Sequence, residues 1–98
     1  MVGYETVKIR MFGMDPATKA VHYLVLARKP DSIWQDAQYA MWDYIDWSHS
    51  DDKGREGVLS YGDYQIPNDR AELQFQKRFR DMYWDHAWAD PYTGRRIR

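Results

Sequence analysis

The chain contains no cysteine. That excludes disulfides and cysteine-based zinc sites, and a small domain without staples points to an intracellular setting. No run of about 18 apolar residues occurs, so no hydrophobic helix crosses a membrane. The opening stretch MVGYETVKIRMFG has charge where a secretory signal has its apolar segment, so a cytoplasmic protein is expected. Leu, Ile, Val and Phe are scarce. The 44% hydrophobic content rests instead on five Trp, eight Tyr, five Met and several Ala. Trp and Tyr each keep a polar atom that needs a partner, which suits half-buried positions and interfaces. Ninety-eight residues predict one domain with a modest core.

Signals for chemistry are also missing. No glycine-rich phosphate loop is present, and Ser32, Ser48, Ser50 and Ser60 have no nucleophile elbow or neighbouring base. No motif fixes two carboxylates opposite each other. His22 alternates with Tyr23 in a presumed strand, and His86 falls on a helical core stripe. His49 with Asp51 and Asp52 has metal-ligand residue types, but a solvated polar loop is the simpler reading. An enzyme, a metal site and a cofactor are therefore not expected.

The net charge of −1 hides a segregation. Residues 1–30 carry five Lys/Arg against two acids, and residues 70–98 carry seven against four. Residues 31–69 carry nine acids against Lys53 and Arg55. If the three segments lie apart, the surface has a basic and an acidic side. If they pack together, the charges offset one another.

Periodicity predicts an α+β fold: a small antiparallel sheet of two to four strands with two amphipathic helices packed on it. ETVKIRMF alternates, with Val7, Ile9 and Met11 facing the core and Lys8 and Arg10 facing solvent. Asp15-Pro16 suits a turn, and VHYLVLAR completes a hairpin over 4–28. The alternative is a helix from an Asp15 cap through Pro16 to Lys29. Ser32 and Gln35 read as a capping box opening a helix over 33–47, whose stripe is Ile33, Ala37, Ala40, Met41, Tyr44 and Ile45, with Trp34 and Trp47 at its border. A loop and short strands follow over 48–66, with Gly62-Asp63 as a hairpin turn. Asp69 and Glu72 repeat the capping box, opening a helix over 69–89. Its buried stripe is Ala71, Phe75, Phe79, Met82, Tyr83 and His86. Residues 90–98 read as a mobile basic tail.

Each helix leaves large aromatics away from its core stripe. On the first these are Tyr39 and Trp42, beside Asp43 and Asp46; on the second, Trp84 and Trp88. Such residues suit a protein interface, and the aspartates favour a larger partner with a basic surface. Packing against loops or each other would equally account for them. A nucleic-acid surface is the second reading. It would use Arg70, Lys77, Arg80, Arg95, Arg96 and Arg98, with Trp84 and Trp88 stacking on bases.

The short cysteine-free chain, its acidic aromatic stretch WQDAQYAMWDYIDW and the loop proline of YQIPND resemble small phage proteins that disable host machinery, such as the anti-RecBCD proteins of lambdoid phages and the anti-CRISPR proteins. The resemblance implies a non-enzymatic inhibitor or modulator that binds a large host nuclease–helicase or defence complex. It also raises Pro67 as a conformational switch, against a simpler role as helix punctuation.

Overall fold

A computed structural model describes residues 3–48 and 58–98. These residues form an antiparallel meander of four strands: β1 (Glu5–Met14), β2 (Val21–Arg28), β3 (Tyr39–Asp46) and β4 (Val58–Ile66), in the order β1-β2-β3-β4. One helix, α1 (Ala71–Asp85), packs on β2 and β3. No helix among the described residues is long and apolar enough to cross a membrane.

The hairpin over 4–28 forms, and the alternative helix from Asp15 does not. Its turn is built locally: Asp15 Oδ1 accepts the Ala17 N–H at 2.9 Å, and Lys19 takes φ 61° to bring the chain round.

The helix expected over 33–47 is absent. Residues 39–46 are instead a central strand, paired with β2 without a break from Val21↔Asp46 to Arg28↔Tyr39. A central strand meets apolar neighbours on both faces, so it lacks clean alternation, and its Ala and Met spacing imitates a helix. The Tyr, Trp and Ile content of YAMWDYID was the stronger signal. Ser32 caps only a local turn, accepting the Trp34 N–H at 3.1 Å. Asn68 ties this loop to the segment after β4, where its Oδ1 accepts the Gln38 N–H at 2.8 Å.

Likewise Gly62-Asp63 is no turn. Gly62 pairs with Trp42 and Asp63 with Met41 inside one strand. Register shifts occur only on the outer strands: near Val7 and Phe12 in β1, and at two places where β4 meets β3. Bulges on both edges discourage other strands from pairing there.

The second helix is shorter than 69–89. Arg70 is its N-cap, without a side-chain cap bond, so the Asp69/Glu72 box does not form. Glu72 binds Lys8 Nζ at 2.6 Å instead. The stripe is otherwise as expected, with Ala71, Phe75 and Phe79 buried, but His86 lies past the helix and is exposed. Pro67 lies between β4 and α1, and no cis peptide occurs among the described residues.

Residues 86–98 are an ordered strap rather than a mobile tail. Ala89 bridges Met14 and Arg96, and the Asp90 N–H donates to Arg95 O at 2.7 Å to close a turn. The main core lies between sheet and helix, around Phe12, Leu24, Leu26, Met41, Phe75 and Phe79. Phe12 and Phe79 stack at 4.6 Å, and Trp88 stacks on the other side of Phe12 at 5.4 Å.

Candidate functional site: two faces of one sheet

The phase of β1 is as expected, but its burial is inverted. Lys8 and Arg10 point toward α1, while Val7, Ile9 and Met11 are 51%, 56% and 39% exposed. The cause lies in the helix. Arg10 places its guanidinium 4.0 Å over the Phe79 ring, and Lys8 sets its ammonium 5.3 Å over Phe75 while pairing with Glu72. The long stems cover aromatic surface and the charged ends reach water at the open side.

The helix covers one sheet face only. By register, the opposite face carries Ile9, Met11, Tyr23, Val25, Trp42 and Tyr44. Val25 and Trp42 are buried at its centre, with Tyr4 edge-on to Trp42 at 5.7 Å. Ile9, Met11 and Tyr44 remain exposed, and Tyr64, 6.5 Å from Tyr4, continues the patch at 49% exposure. Trp34 and Ile33 adjoin it beyond Tyr4. Of the residues that β1, β2 and β3 present on this face, Asp46, at one end, is the one acidic or basic side chain.

On the helix side, a cleft of about 550 Å³ is lined by Arg10, Phe12, Phe79, Arg80, Tyr83 and Trp84 among others. A second hollow of about 470 Å³ shares Arg10, Gln76 and Arg80 with it and adds Lys8, Leu73 and Lys77. The two form one groove between β1 and α1. Trp84 is 59% exposed there, with the Arg98 guanidinium 4.4 Å over its ring.

The predicted interface residues scatter. Trp42 and Trp88 are 6% and 2% exposed, so both are packed side chains: Trp42 at the centre of the sheet face away from the helix, Trp88 in the main core. The aspartate ring around Trp42 does not form, because strand geometry sends Asp43 to the opposite side. Asp43 is buried against Arg78, at 3.4 Å, and Arg78 also binds Asp63 at 2.8 Å. Burial raises the Asp43 pKa above the ordinary carboxylate value; Arg78 and His22 only partly offset this, and the charge of Asp63 adds to it. Tyr39 is half-buried against the main core. Asp46 accepts the Ser48 N–H at 2.9 Å.

Of the basic residues, Lys77 and Arg80 line the groove and Arg98 closes its end. Arg70 sits at the helix start, and Arg95 and Arg96 lie on the strap. Sequence reasoning missed Lys8 and Arg10, which the inverted strand delivers to the groove, and the exposed Ile9–Met11 side. The available signal was Gly13, since glycine in a strand often marks a bulge, here beside the buried Phe12.

His49, Asp51 and Asp52 lie outside the described residues. Among the described residues no three His, Asp or Glu side chains gather into a metal site. Comparison with family models, with curated proteins and with solved structures finds no match to this chain.

Proposed function

We propose that this is a non-enzymatic binding protein that docks a larger protein through the uncovered face of its sheet, as an inhibitor or modulator acting in the cytoplasm. One observation carries the reading. A domain buries the apolar face of a sheet against a second layer, and here Ile9, Met11 and Tyr44 stay exposed with no such layer among the described residues. The patch combines large aromatics with a nearly uncharged centre, the composition of an interface core. The partner's matching surface is apolar. The Asp43-centred acidic surface drops out of the reading, because Asp43 is used internally by Arg78.

The test compares the wild type with Ile9→Lys and Tyr64→Lys, each checked for native circular dichroism, as bait in affinity capture. A partner retained by the wild type and by an Arg80→Glu variant, but lost by both sheet-face variants, supports the reading. A partner equally held by all four proteins sinks it. Sedimentation at rising concentration identifies a second copy of this chain as the occupant instead.

A further inference from the structure

We infer that the groove between β1 and α1 is a separate site, on the opposite side of the sheet from the apolar patch, that binds single-stranded nucleic acid. Four cations line it: Lys8 and Arg10 from β1, and Lys77 and Arg80 from α1. No carboxylate is among its lining residues. The two basic ends of the chain thus meet here, since β1 belongs to the first and α1 to the last. Two acids pair with these cations: Glu72 with Lys8 at 2.6 Å, and Asp81 with Arg80 at 3.8 Å. Two acids against the four lining cations leave a positive surplus.

The occupant follows from charge together with shape. Lys77, Arg80 and Trp84 recur every three or four residues, so they share one helical edge about 10 Å long. A strand running along it sets phosphates against Lys77, Arg80 and Arg10 and brings a base to Trp84. Arg98 covers one side of the indole, and 59% of Trp84 is still open. An unpaired base has a free face for that ring, whereas a base inside a duplex is already stacked on both sides. An acidic peptide would satisfy the cations but leave the exposed aromatic unused. Apart from its cations, the cleft is lined mainly by aromatic and apolar side chains, with Gln76 and Tyr83 the other polar groups, so stacking rather than base-edge reading dominates and binding is sequence-tolerant.

The test is fluorescence anisotropy of a labelled oligo-dT of about 12 nucleotides, within the range such sites cover, against the full chain at low salt. Binding should weaken with added salt, with a log–log slope of about −0.7 per phosphate contacted. Lys77→Glu/Arg80→Glu, both exposed residues, should lower affinity at least tenfold and flatten that slope by about 1.4. Trp84→Ala should weaken binding roughly 5- to 150-fold, and Trp84→Phe, which keeps a stacking ring, should restore most of it. Three results overturn the inference: no anisotropy change at low salt, binding indifferent to the charge reversal, or equal binding of a matched duplex. Tighter binding of polyglutamate than of oligo-dT assigns the groove to an acidic peptide and overturns it as well.

Discussion

The guanidinium of Arg10 lies 4.0 Å over the ring of Phe79, and this contact explains why β1 shows its apolar side to water. Arg10 roofs the helix's buried aromatic and leaves its charge at the rim of the groove. Removing the roof should cost less than removing the ring. Arg10→Ala is expected to lose about 0.5–2 kcal/mol, and Phe79→Ala about 3–5 kcal/mol. Urea unfolding midpoints measure both, and equal losses would count against this division.

Trp42 and Trp84 should separate cleanly. Trp42 is packed between Val25 and Tyr4, so Trp42→Ala is expected to destabilise by about 3–5 kcal/mol. Trp84 is exposed and meets mainly Tyr83 and Arg98, so Trp84→Ala should cost under about 1 kcal/mol. Thermal melts of the two variants check the contrast. Comparable losses would mean that Trp84 is more deeply packed than its exposure indicates.

The difference between these two tryptophans also marks what could be read from the sequence. The first hairpin and the core stripe of α1 were legible, because alternation and 3.6-residue spacing both show where an element has one wet face. β3 was not. Its residues 40–43 are buried on both faces, so its polar pattern vanished and the spacing of Ala37, Ala40, Met41 and Tyr44 passed for a helix. The error then moved Trp42 to an imaginary outer face and put Asp43 beside it. In β1 the alternation was right and its direction wrong, since periodicity cannot say which side a helix will cover. The groove was half legible: Lys77, Arg80 and Trp84 came from helical spacing, whereas Lys8 and Arg10 needed the fold.

Arg78 holds two carboxylates of adjacent strands, with Asp43 the buried one. Arg78→Met should leave Asp43 as an uncompensated buried charge and cost about 3–5 kcal/mol. Adding Asp43→Asn should recover much of that loss, because no ionised group then remains buried. A double-mutant cycle in urea measures the recovery, and strict additivity would contradict the coupling.

Stability should fall on mild acidification because of His22. Burial, in part against Trp88 at 5.2 Å, lowers its pKa below 6.5; Asp15 and Asp43 oppose the shift and His86 adds to it. The folded imidazole therefore binds its proton less readily than the unfolded one. Its contribution is complete above about pH 6.5 and is lost as pH falls from there through the folded value. Asp43, with its raised pKa, has the opposite sign and acts lower, in the carboxylate range. Unfolding free energies between about pH 7.5 and 5 should decline in the wild type and stay flatter in His22→Phe.

Gly13 anchors the C-terminal strap. Its φ of 143° suits glycine, and an added Cβ would come within 3.0 Å of Trp88 Cβ and 3.1 Å of Ala89 O. Ala89 is the residue through which the strap bridges to Met14, with Met14 N–H donating to Ala89 O at 2.8 Å and Ala89 N–H returning the bond to Met14 O at 2.9 Å. Gly13→Ala should push this ladder apart and loosen residues 86–98 while the β2–β3 pairing holds. The strap also carries Arg98 onto Trp84, so the groove's end should loosen with it. Hydrogen exchange should then show faster exchange at Met14, Ala89 and Ile97 amides and little change in β2. Uniform acceleration across the sheet would instead make Gly13 a determinant of the whole fold.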